Sequence, residues 1–186
     1  MSVDGRTLRV MRSGRQLSLV LCLLLAATTA GCGGDPAPRA WAVAVCTALG
    51  PWRAEIGTLE SKTQQQMIAK TPPGTARENL VRLFGSARNA SETARAAVQQ
   101  AGTPDVSDGA RIAGDFAASL SAIRDAYGRA RDGIGALATD PPKAFYDQVT
   151  VVVAKLGEDY DRSEPDITRL SSAELQQEFA DAPECR

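Results

Sequence analysis

The chain has 186 residues, with 21 basic and 22 acidic side chains and no histidine. Without imidazole, Ser-His-Asp and Cys-His catalysis are excluded and a zinc hydrolase centre is not expected. Carboxylate or lysine chemistry stays open in principle, but no G-x-S-x-G, Walker or strand-flanked G-x-G-x-x-G sequence occurs, and Gly133-Ile134-Gly135 lacks the context that gives such a motif meaning.

Leu17 to Ala30 is an apolar run of about 14 residues, too short to cross a bilayer as a helix and suited to the h-region of an export signal. Arg6, Arg9, Arg12 and Arg15 precede it as a positive n-region without an Arg-Arg pair, which points to the general secretory route. Met11 would open an equally good, shorter signal, so either Met1 or Met11 fits as the start. The run ends in Thr29-Ala30-Gly31-Cys32, small residues leading to a cysteine. This resembles the lipobox of bacterial lipoproteins, with Thr29 at the place where that pattern usually has an apolar residue. The resemblance implies a diacylglyceryl group on the Cys32 thiol, removal of residues 1–31 and a protein held on the outer face of the cytoplasmic membrane. Each acyl chain contributes roughly 0.8 kcal/mol per buried methylene, so two or more chains anchor stably. The other reading of the segment is an ordinary cleavage site and plain secretion.

Loss of residues 1–31 removes four arginines and one aspartate, leaving a net charge near −4 on about 155 residues. That balance suits one domain with one core and speaks against nucleic acid as a partner, because phosphate contacts need clustered Lys and Arg. Of the four cysteines, Cys22 leaves with the signal and Cys32 takes the lipid. Cys46 and Cys185 remain, near the two ends of the domain and in an oxidising compartment. They are expected to form one structural disulfide; two free thiols or a redox pair are the alternatives, though no C-x-x-C spacing is present.

Cys32 to Ala40, including Gly33-Gly34-Asp35-Pro36-Ala37-Pro38-Arg39, reads as a flexible tether ahead of a domain spanning 41–186. Val45, Leu49, Trp52, Ile56 and Leu59 step by four and three, the stripe of a long first helix ending near Lys70 before Thr71-Pro72-Pro73-Gly74. Thr75 and Glu78 have capping-box spacing for a second helix with an alanine-rich face that includes Leu80, Leu83, Phe84 and Ala87. Gly102 and Pro104 end it. A third helix, from about Ser107, carries the most regular seam, Ile112, Phe116, Leu120, Ile123, Tyr127, Ala130, Ile134 and Leu137. Its Gly114, Gly128, Gly133 and Gly135 read as points of close helix approach.

Asp140-Pro141-Pro142 opens a fourth helix, with Asp140 as N-cap and Phe145, Val149, Val152, Val153 and Leu156 on its buried face. The run Val149-Thr150-Val151-Val152-Val153 is β-branched and alone would suit a strand, but its setting favours helix. A polar segment follows, then Ser171 and Glu174 cap a short helix bearing Leu175 and Phe179.

These elements predict an all-α protein, an up-and-down bundle of four helices plus a short C-terminal helix, closed by Cys46 with Cys185. The acidic residues Glu158, Asp159, Asp161, Glu164 and Asp166 lack the spacing of a calcium loop and read as a solvated connection. Arg124, Arg129, Arg131 and Gln64-Gln65-Gln66 read as solvated helix surface, with partner contact as the second option. Trp41 and Trp52, eleven residues apart and so nearly on one side of the first helix, are core residues or, with Phe116, ligand-facing ones. No catalytic residue, metal ligand or cofactor is assigned. The expected function is that of a non-enzymatic envelope lipoprotein presenting a helical surface to another protein; the alternative is a small-ligand binder with an apolar cavity between the second and third helices.

Overall fold

The computed structural model describes residues 34–66, 71–163, 167 and 170–186. The expected export signal, the lipobox-like Thr29 to Cys32, the expected helix end at Lys70, and Glu164 and Asp166 lie outside the described residues. Five α-helices follow one another, and no strand occurs among the described residues: α1 Pro38–Gln66, α2 Pro73–Gln100, α3 Gly109–Gly135, α4 Pro142–Asp161 and α5 Ala173–Asp181, with a closing 3₁₀ turn at Pro183–Cys185.

Prolines decide several of the helix starts. Pro38 opens α1, so the tether is shorter than the sequence suggests: its Pro36 carbonyl accepts from the Asp105 N–H at 2.9 Å, and the fully buried Trp41 fixes the first turn. In α2 the expected capping box of Thr75 and Glu78 is displaced. Pro73 takes the first helical position, where its missing N–H costs nothing, and forces Pro72 into extended backbone, so Thr75 already lies inside the first turn. The same substitution occurs in α4, where Pro141 flanks the helix and Pro142 begins it, leaving Asp140 outside as no cap. The cap of α5 is Ser172 and not Ser171: its Oγ accepts from the Leu175 N–H at 3.2 Å, while Ser171 Oγ accepts from Arg111 on α3 at 2.6 Å.

Between α2 and α3 the chain turns within eight residues. Gly102 has φ +77, as its position after the helix requires, and its carbonyl accepts from Trp41 Nε1 at 2.9 Å. Gly109 begins α3 two residues later than expected, and a Cβ there would sit 2.0 Å from the Pro104 carbonyl oxygen. The preceding Asp108 takes the left-handed conformation at φ 65.

Residues 35–186 form one compact unit containing the disulfide and the entire hydrophobic cluster, so it carries its own core. The seam of α3 packs as its spacing predicts, with Ile112, Leu120, Ile123 and Ile134 at 0–1% exposure, against Leu80, Phe84, Ala87, Ala94 and Val98 of α2. Fully burying each aliphatic side chain contributes roughly 1.5–3 kcal/mol. The glycines of α3 are not the close-approach points that their number suggested. A Cβ at Gly128, Gly133 or Gly135 would meet a neighbouring side chain at ordinary contact, 3.4 to 3.8 Å, and at Gly114 nothing lies within 4 Å.

The bundle is closed unevenly. α1 packs on α2, α2 on α3 and α3 on α4, while α5 and the final turn fold back on α1, where Cys185 joins Cys46. Among the described residues no Cα of α4 comes within 8 Å of α1. Phe145 is the one fully buried side chain of α4; Val149, Val152 and Leu156 are partly covered, and Val153, expected inside, is 44% exposed. The β-branched run is helical throughout, and α4 continues three residues past Glu158.

Candidate apolar groove

The gap between α1 and α4 is a groove of about 520 Å³. Its first wall is the C-terminal half of α1, where Ile56 and Leu59 continue the stripe that is buried lower down at Val45, Leu49 and Trp52. With no partner helix opposite, this part of the stripe stays half-covered. The floor is Leu80, Leu83, Phe84 and Ala87 of α2 with Tyr127 of α3, and the second wall is Val153, Leu156, Gly157 and Tyr160 of α4. Phe84 and Tyr127 lie with ring centroids 6.4 Å apart at a 30° tilt, and Tyr160 meets Tyr127 edge-on at 6.5 Å. Burial, reinforced by Tyr160 and Glu60, pushes the Tyr127 phenol well above its usual range, so it stays neutral.

Besides the hydroxyls of Tyr127 and Tyr160, the polar groups are Thr63, Gln64 and the carboxylates Glu60 on α1 and Asp161 on α4, the last three exposed at the margin. Among the described residues none that lines the groove is basic. Lys155 and Arg162 belong to the other side of α4, about 180° around the helix from Val153 and Gly157 at 3.6 residues per turn.

Gly157 bears directly on the shape of the site. It lies in the last third of α4, is exposed, and nothing falls within 4 Å of where its Cβ would be. Glycine inside a helix costs about 1 kcal/mol relative to alanine. Here neither backbone conformation nor close packing requires it; what its missing side chain leaves is room in the wall of the groove.

The aromatic residues expected to face a ligand lie elsewhere. Trp41 and Phe116 are buried and make edge-on contact at 5.4 Å, and Phe179 from α5 stacks on Phe116 at 5.7 Å. That end of the bundle is filled, because α5 supplies the ring that closes it. Trp52 is 8% exposed, with Nε1 donating to Ser91 Oγ at 3.1 Å, and borders a shallow trough between α1 and α2 lined chiefly by alanines. The trough is larger, about 680 Å³, but Trp52 is the single aromatic among its described lining residues and each alanine offers little apolar area. α2 and α3 form the most extensive interface of the bundle and together supply the floor of the groove, whose walls are α1 and α4. Sequence periodicity marked Leu59, Leu80, Phe84, Tyr127 and Leu156 as core and so missed them as a site. Gly157 carried no signal of its own, since Gly50, Gly57 and Gly114 also lie inside helices with nothing within 4 Å of a Cβ.

The charged residues act as cross-braces. Asp159 on α4 accepts from Arg129 of α3 at 2.9 Å and is also paired with Lys155 and Arg162. Lys155, then Arg129, holds its carboxyl down to about 2, so it is a satisfied ion-pair hub and not a cation ligand. Glu92 on α2, bonded first by Arg95 and then by Arg124 of α3, is likewise held at about 2. Arg124 and Arg129 therefore tie helices together instead of standing free in solvent, while Arg131 pairs with the adjacent Asp132. No group of three or more Cys, Asp or Glu is placed to hold a metal among the described residues, and no described helix is long and apolar enough to cross a membrane.

Comparison with protein-family models, with curated proteins and with solved structures gives no match.

Proposed function

We propose that the protein is a non-enzymatic, lipid-anchored binding protein of the cell envelope, held by Cys32 on the outer face of the cytoplasmic membrane, whose α1–α4 groove takes up an apolar small molecule. The observation that carries this reading is the groove itself, with aromatic and aliphatic residues at its floor, polar residues at its margin and a glycine where any other residue would narrow it. Pockets of 300–1,000 Å³ with apolar linings and few polar groups are the usual form of small-molecule sites. The pairing of Cys46 with Cys185 supports an oxidising compartment, and the lipobox resemblance supports the anchor. Native mass spectrometry of residues 35–186 produced by export tests it: a retained small molecule that is lost in a Gly157→Phe variant is expected, and a bare polypeptide mass on repeated preparations counts against it. A Cys32→Ser variant of the full chain is expected to leave the membrane fraction; unchanged fractionation overturns the anchor.

The protein-interaction reading keeps one specific observation in its favour. Val151 is 69% exposed and lies outside the groove, about 160° around α4 from the groove-lining Val153. A photoreactive residue at position 151 is expected to cross-link a defined membrane partner if this face is the working surface, and nothing if the groove alone is.

A further inference from the structure

Both the size and the charge of the groove restrict what fits it. Its wall on α1 runs from Ile56 to Gln64 and on α4 from Val153 to Asp161, nine residues in each case, or about 12 Å over the helical rise. A groove of that length and of about 520 Å³ accommodates an extended alkyl chain. The floor suits such a chain, since Leu80, Leu83 and Leu156 offer flexible methyl groups and Phe84 and Tyr127 offer broad faces.

The margin adds a sign. Among the described residues the groove has two charged ones, Glu60 and Asp161, both acidic and both exposed, one on each wall, and none that is basic. Glu92 and Asp159, by contrast, are matched by arginines. An anionic head at this margin meets repulsion from both walls; a cationic head meets complementary charge. Gly157 leaves room between the two walls.

We infer that the groove selects a single-chain amphiphile with a positively charged head, an alkyl amine being the simplest member of the class. This rests on the binding function proposed above and adds the chemistry of the ligand. Isothermal titration of residues 35–186 with dodecylamine, dodecanol and dodecanoate, each below its micelle-forming concentration, separates the two. The amine is expected to bind about tenfold more tightly than the carboxylate, the size of effect given by two partly solvated charges. Glu60→Gln with Asp161→Asn, both at exposed positions, should bring amine affinity down to that of the alcohol, and Gly157→Phe should abolish binding of all three. If the three probes bind equally and Gly157→Phe still blocks them, the charge selection is wrong and the groove stands. If none binds, or if Gly157→Phe changes nothing, the groove is not a ligand site and both readings fall.

Discussion

Trp52 on α1 and Ser91 on α2 form a buried hydrogen bond that links two helices through side chains: the indole Nε1 donates to Ser91 Oγ at 3.1 Å, and the same hydroxyl donates to the Ala87 carbonyl at 2.9 Å. Ser91 has no solvent exposure. Ser91→Ala leaves the indole N–H buried without an acceptor, and is expected to cost about 1–3 kcal/mol in urea denaturation. Trp52→Phe in the Ser91→Ala background is expected to cost less than Trp52→Phe alone. Equal costs would show the two residues to be uncoupled.

The disulfide spans 139 residues of sequence and ties the final turn to α1. Replacing Cys46 and Cys185 together by serine removes a constraint on the unfolded chain that is worth about 4–5 kcal/mol in the loop-entropy account. A fall of that size in unfolding free energy is expected, with release of α5 seen first as faster amide exchange around Leu175 and Phe179. An unchanged denaturation midpoint would contradict it.

Acid stability follows from the two bridged carboxylates. Glu92 is lowered from an ordinary 4.5 to about 2 and Asp159 from 3.8 to about 2 by their arginine and lysine partners. A carboxylate with a lowered folded-state value stabilises fully above its unfolded value and loses that contribution as pH falls through the folded one. The denaturant midpoint is therefore expected to drop between about pH 4.5 and pH 2. Glu92→Gln with Asp159→Asn should flatten that part of the profile. Both groups are open to water, so the effect is small and is reduced by salt.

Two glycines of α3 should respond oppositely to the same change. Gly109→Ala puts a methyl group 2.0 Å from the Pro104 carbonyl oxygen and is expected to destabilise by more than about 1 kcal/mol, since backbone on both sides must shift. Gly114→Ala meets nothing within 4 Å on an exposed helical position and is expected to stabilise by up to about 1 kcal/mol. Thermal melts of the two variants compare them directly.

How much of this was legible in sequence varied with the kind of signal. The seam from Ile112 to Ile134 and the pairing of Cys46 with Cys185 could be read, because periodicity and elimination are local arguments. Helix starts were displaced where two prolines compete for the first position, as at Pro72-Pro73 and Pro141-Pro142: a capping pattern reports what a side chain can bond, not where the backbone is forced to turn. Trp41 and Phe116 gave no hint that Phe179, more than sixty residues after Phe116, fills the space between them. The groove was the least legible feature. It arises from α4 failing to reach α1, a property of helix placement, and its lining residues carry the same apolar spacing as any core face.

The central claim is that the space between α1 and α4 receives an alkyl chain. The most direct measurement is methyl-resolved NMR of residues 35–186 titrated with dodecylamine. The account predicts that Leu59, Leu80, Leu83, Val153 and Leu156 shift together with one saturating curve, while Leu49, Leu120 and Leu175 in the filled part of the bundle do not move. Shifts spread evenly over both sets, or confined to Val151 and the outer side of α4, would contradict it.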